Sequence, residues 1–372
     1  MNALRFLRNF KLLGLALGLI VALTIALAGC QGQSASEGKQ ITMHTSGSSG
    51  GGSGTGGGIT SETELRLSSK GLPGSVATPA ANSARLSESP SEASMDQTPL
   101  YTFGIIYPMA HPFYEEITRL TEEAASPERV RLVVKAPEVV NLEQQIHMME
   151  TMIQQKVDAI AISPIDSSAL GPVIDKAVQA GIPVICFESD VPNSKRSSYI
   201  GTDNVDAGVQ MGKIIKQMTK NKGMILVESG VQRMELHQRR LQGLLDYLRD
   251  DTRIQVLEVR HNEGDSDKAL TDLEAMIDAH PHFDALVSVD LISSSNSVLV
   301  WKAKGLNRYA AAFNMTPEMK ESLRNGQITS VLSQNEESWG RLLIDHLLQA
   351  ARGEPVPPFT DTGKVVINSS AP

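Results

Sequence analysis

Cysteine is nearly absent: only Cys30 and Cys186 occur in 372 residues. Cys186 lies inside the apolar stretch Pro183 to Phe187, where it reads as a small buried hydrophobe, so no disulfide is expected. The glycine patterns that cradle phosphates are missing too. No G-x-G-x-x-G follows the first apolar strand, and no G-x-x-x-x-G-K ending in Ser or Thr occurs anywhere, which argues against a nucleotide-dependent enzyme. There is no Ser/His/Asp set and no metal-ligand spacing, so neither a cofactor nor a metal is expected. Positive charge is short as well. Thirty-four Lys and Arg against 42 Asp and Glu leave a net charge of −8, and an acidic chain is a poor nucleic-acid binder.

The first residues are a processing signal in composition. Arg5, Arg8 and Lys11 form a basic start, Leu12 to Leu27 an apolar run, and L-A-G-C closes it at Leu27 to Cys30. Small residues directly before a cysteine resemble a bacterial lipobox, so residues 1–29 are expected to be cut away and Cys30 lipidated. The protein is then exported and held on the extracytoplasmic face of the cell membrane, and loss of the three basic residues takes its charge to −11. Residues 30–98 lack the bulky apolar side chains that a core needs. They are rich in Ser, Gly and Thr, nearly pure Gly and Ser from Ser46 to Gly58, and read as a disordered linker spanning about 45 Å.

From Pro99 the texture changes to short apolar runs alternating with amphipathic stretches of a dozen residues or more, the signature of βαβ units and a parallel sheet. Strands are expected at 101–107, 130–135, 158–163 and 183–187, with helices near 112–125, 142–155 and 167–180. After Tyr199 to Gly201 the pattern restarts. Strands follow at 224–228, 254–260, 285–289, 309–313 and 328–332, and helices at 203–220, 235–250, 265–279, 294–304, 317–325 and 336–351. Two similar halves predict an α/β protein with two doubly wound lobes and a cleft between them.

Ligands of open α/β sheets sit at the carboxyl ends of the strands. The strand ending at Phe187 delivers Glu188 and Asp190 there, within F-E-S-D-V-P-N-S-K-R, and Pro192, Asn193 and Ser194 then make a turn. Two carboxylates at such a place can accept hydrogen bonds from sugar hydroxyls, bind a cation, do acid/base work on a glycoside, or simply cap a loop.

The motifs beyond this one resemble the ribose-type periplasmic sugar-binding proteins. They are H-P-F-Y at His111, D-A-I-A-I-S-P-I-D at Asp158, G-I-P-V at Gly181, G-T-D-N at Gly201, Q-R-R-L-Q-G at Gln238, F-N-M-T-P at Phe313 and S-Q-N at Ser333. The resemblance runs from Pro99 to Asn368 and implies a type I periplasmic binding fold with a three-strand hinge. Its lobes comprise residues 99–202 with 335–361, and 203–334 with 362–372. It further implies stacking of a sugar by Phe113 and Tyr114, and hydrogen bonds from His111, Glu188, Asp190, Gln238, Asp290, Asn314 and Gln334. Planar aromatics suit the apolar faces of a pyranose, and two-headed polar groups suit its edges. Arg240 reads as a pocket donor or as the partner of a nearby acid, and His111 equally as the cap of the helix opened by Pro112.

The sequence departs from the ribose receptors at several of these positions. Ser189 and Gln238 stand where those receptors carry arginines, Gly264 where an aromatic is expected, and Asp290 and Asn314 reverse the usual order. The resemblance therefore does not carry ribose over as the ligand. The expected function is a monomeric, non-enzymatic binding protein for a monosaccharide or related small polar ligand. It delivers that ligand to an ABC permease, or else presents it to a membrane histidine kinase or chemoreceptor. The related sugar-responsive repressors need a DNA-binding segment, where this chain has the leader and linker.

Overall fold

A computed structural model describes residues 100–369; the leader, Cys30 and the linker lie outside the described residues. The described chain opens with β1 (Tyr101–Ile106), α1 (Pro112–Ala125), β2 (Val130–Lys135), α2 (Leu142–Gln154), β3 (Ala159–Ile162), α3 (Gly171–Gln179), β4 (Val184–Phe187) and β5 (Ser198–Gly201). A second round follows: α4 (Asn204–Met218), β6 (Lys222–Ser229), α5 (Glu235–Asp251), β7 (Arg253–His261), α6 (Ser266–Ala279), β8 (Ala285–Ser288), α7 (Leu291–Lys304), β9 (Tyr309–Phe313), α8 (Pro317–Arg324) and β10 (Ser330–Ser333). Then come α9 (Trp339–Ala351), β11 (Phe359–Asp361) and β12 (Val365–Asn368).

Several boundaries move for local reasons. The helix expected from Ser167 starts only at Gly171, because Asp166 folds back to accept from the amides of Ser168 and Ala169, 2.9 Å each. Such an Asx turn competes with the helix ladder, and Pro172 then opens the helix properly. The helix expected from Ser294 begins three residues earlier, where Asp290 accepts from the amides of Ile292 and Ser293 and caps it. The strand expected at 328–332 pairs over Ser330–Ser333 instead.

The strands form two six-stranded sheets. Their orders are β11-β5-β4-β3-β1-β2 and β12-β10-β9-β8-β6-β7, and only β12 runs antiparallel to its neighbour. Each sheet is covered on both faces. On the first, Phe103 and Ile105 pack toward the cluster of Trp339, Leu343 and Ile344, and Ile106 toward Met149 and Met152. Alternate strand residues thus serve opposite faces. At Gly104 a Cβ would lie 2.2 Å from Met152 Sδ, so the sulfur fills the space that a side chain would claim.

The chain passes between the sheets three times, after β5, after β10 and between β11 and β12. In each sheet the order reverses once, between β1 and β3 and between β6 and β8. These are the switch points where a parallel α/β sheet leaves a crevice beyond its strand ends. Two crevices face each other across the interlobe cleft.

Candidate ligand-binding site

The cleft holds a cavity of about 30 Å³, room for no more than one or two water molecules. Its lining comes from the carboxyl ends of the strands in both sheets. Pro108 and Met109 follow β1, Glu188 follows β4, Gly230 and Val231 follow β6, Asp290 to Ile292 follow β8, and Asn314 follows β9.

Glu188 owes its place to backbone conformation. It sits at φ +62°, a left-handed value uncommon for a residue with a side chain, and its amide still bonds Ile200 O at 2.9 Å. The chain turns there, and one carboxylate oxygen, Oε2, accepts the hydroxyls of Tyr114 and Ser163 at 2.8 Å each. Burial is the main cause that raises its pKa, and the two hydroxyls and nearby Arg240 act against it.

Opposite stands Arg240 of α5, buried in full. Its Nε donates to Asn204 Oδ1 at 2.8 Å, Nη1 to Val289 O at 3.4 Å and Nη2 to Gln334 Oε1 at 2.5 Å. The guanidinium lies 4.5 Å over the Phe313 ring, a cation–π contact that offsets part of its desolvation. Burial lowers its pKa, while Glu188 among other acids holds it up. Asn314 is also left-handed, at φ +68°, and its buried Nδ2 has no partner. His237 Nδ1 lies 3.2 Å from Val231 O. Burial pulls its pKa down to about 4, against the opposing charge of Asp290, so the ring is neutral.

The structure brings Tyr114, Glu188, Arg240, Asp290 and Asn314 together at the cavity. Other residues expected there lie elsewhere. Phe113 is core: its ring meets Trp339 edge-on at 6.0 Å and Tyr114 at 5.1 Å. His111 Nδ1 accepts the Phe113 amide at 3.1 Å and caps α1. Asp190 turns away and pairs with Arg196, whose Nη2 reaches its Oδ2 at 2.6 Å. Gln238 is exposed and donates to Gln232 O at 2.6 Å. Gln334 stands behind Arg240, its Nε2 unpartnered.

Sequence reasoning missed the apolar lining, above all Met109, Val140, Val231, Met234, Leu291 and Ile292. One signal for it was available at Gly264, the position noted above as lacking an expected aromatic. A Cβ there would lie 2.4 Å from Val140 Cγ2, so a valine of the opposite lobe takes up the space.

Residues 104–355 match the Periplasmic binding protein domain. The chain belongs to that family. Among proteins similar to it, the ribose import binding protein of Bacillus subtilis (strain 168) is 21% identical over 257 residues, 69% of this chain and 83% of that protein. Among solved structures, an ABC transporter solute-binding protein of Burkholderia graminis C4D1M in complex with D-arabinose superposes with a TM-score of 0.69 at 26% identity. That match covers 73% of this chain and 96% of the other. A periplasmic solute-binding protein of Actinobacillus succinogenes 130z with bound D-allose, 21% identical with a TM-score of 0.67 over 72% and 98% of the two chains, shares the fold. The two parallel-sheet lobes are those of the type I periplasmic binding proteins.

Proposed function

We propose that this chain is an extracytoplasmic solute-binding protein, anchored through lipid on Cys30, that captures a monosaccharide or related small polar ligand between its lobes and delivers it to an ABC permease. One observation carries the reading. Polar side chains of both lobes, Glu188 from one and Arg240, Asp290 and Asn314 from the other, converge on one interlobe cavity, and the buried Asn314 Nδ2 has no partner among the described residues. A buried donor without a partner is costly, and a ligand hydroxyl satisfies it. The relatives support the class, since they are named as a ribose import binding protein and as ABC transporter solute-binding proteins holding sugars.

A cavity of about 30 Å³ is too small for a pyranose. The ligand therefore sits in the cleft with the lobes further apart than they stand here, opened about the three interlobe passages by the usual hinge motion of such proteins. Tyr114 offers it an aromatic surface, and Glu188, Arg240 and Asn314 the polar contacts.

The test is thermal or urea unfolding with a panel of pentoses, hexoses and polyols. A ligand at 100 times its dissociation constant adds about 2.7 kcal/mol of stability. A panel in which nothing moves the transition overturns the reading.

A further inference from the structure

The polar groups at the cavity are few, and most are already engaged. Arg240 gives three of its five N–H groups to Asn204, Val289 and Gln334. Asp290 accepts from two helix amides and from Asn262 and Ser293. Beside the two N–H groups that Arg240 does not spend, three groups are open to a ligand. Glu188 Oε1 is used by neither Tyr114 nor Ser163, and Asn314 Nδ2 has no partner. The third is His237 Nε2. Nδ1 faces the Val231 carbonyl, which only accepts, so Nδ1 carries the proton and Nε2 keeps its lone pair.

The rest of the lining is hydrocarbon and thioether: Met109 and Val140 from one lobe, Val231, Met234, Leu291 and Ile292 from the other. Several backbone groups along this wall are spoken for too. Val231 O takes the Met234 amide and His237, the Ile292 amide goes to Asp290, and Ile292 O takes Asn296. Val140 packs directly against the Val231, Met234 and Leu236 cluster, so the wall is continuous across the two lobes.

We infer that the ligand is a deoxy sugar, or a similarly reduced polyol, whose hydroxyls lie along one edge and whose methyl or methylene edge faces the Met109, Val140, Val231 and Met234 wall. The inference deepens the sugar-binding reading and rests on it. A sugar hydroxylated all round must turn at least one hydroxyl onto a surface with no partner to offer. Each such burial weakens binding by about tenfold or more. A methyl group in the same place gains contact instead.

The experiment is titration calorimetry of the full chain with matched pairs that differ by one hydroxyl: D-fucose with D-galactose, D-quinovose with D-glucose, and 2-deoxy-D-ribose with D-ribose. At least one deoxy partner is expected to bind about tenfold or more tighter than its parent. Val140→Thr, close to isosteric, and Met234→Gln, of similar length, each place a polar group on the wall and should shrink that ratio severalfold. Their melting temperatures show whether the fold survives. If every pair that binds does so equally, or prefers the fully hydroxylated member, the inference falls while sugar binding stands. A ratio indifferent to both substitutions removes the wall as its cause. If no member of these pairs or of the wider panel binds, the underlying reading falls with it.

Discussion

Glu228, next to last in β6, is fully buried, and neither of its carboxylate oxygens has a hydrogen-bond partner among the described residues. Burial first, and the negative charge of Asp290 next, push its pKa up to about 9, whereas an unfolded glutamate titrates near 4.3. Below that lower value both states are protonated and the stability is complete. Between the two values the unfolded chain releases a proton that the folded chain keeps, so stability is lost as pH rises toward 9. Glu228→Gln removes this loss. It should stabilise the protein by roughly 2–4 kcal/mol at pH 8 and by almost nothing near pH 4, as urea unfolding across a pH series would show. Phe113 supplies a second test at this scale. Being core, it should cost about 3–5 kcal/mol as alanine and much less as leucine. Sugar affinity in Phe113→Leu should stay near that of the parent protein, checked by calorimetry beside the melts.

The helices α4 and α5 meet through glycine. A Cβ on Gly208 would lie 2.0 Å from Arg240 O, and one on Gly243 2.1 Å from Val205 O, so each helix backbone rests on the other. The contact positions the site, because Asn204 at the start of α4 receives Arg240 Nε from α5. Gly243→Ala forces the pair apart. Although alanine favours an isolated helix by about 1 kcal/mol, overpacking here should give a net destabilisation of about 1–3 kcal/mol. Ligand affinity should fall with it as Arg240 shifts, and melting and calorimetry on the same variant would show both. The equivalent change at an exposed helix position should only stabilise.

At the scale of the molecule, three interlobe passages join lobes whose interface carries both the polar floor and the apolar wall of the cavity. Among the described residues no helix is long and apolar enough to cross a membrane, and the proposed tether is the lipid on Cys30, ahead of the linker. Cys30→Ala should release the protein from the membrane fraction or stall its processing, read by fractionation and by metabolic lipid labelling. Unchanged attachment together with an unlabelled parent protein would sink the anchor.

Alternation of apolar runs with amphipathic stretches was enough to determine an α/β chain in two rounds, since each strand and helix follows from its own ten or so residues. The rule that ligands gather at carboxyl strand ends likewise singled out the turn holding Glu188, and the family resemblance added Asp290 and Asn314. Which side chains enter the cleft was decided only by tertiary structure. Glu188 and Asp190 stand two residues apart on one turn, yet one faces the cavity and the other Arg196, because the backbone is left-handed at the first. Gln238 and Arg240 stand two apart on one helix, where a 3.6-residue period sends them to nearly opposite sides. Phe113 and Tyr114 divide in the same way between core and cleft. Val140 fills the space at Gly264 across more than a hundred residues of chain. Local sequence sets the period of an element, but its rotation against a distant neighbour, which selects the lining, follows from packing across the cleft.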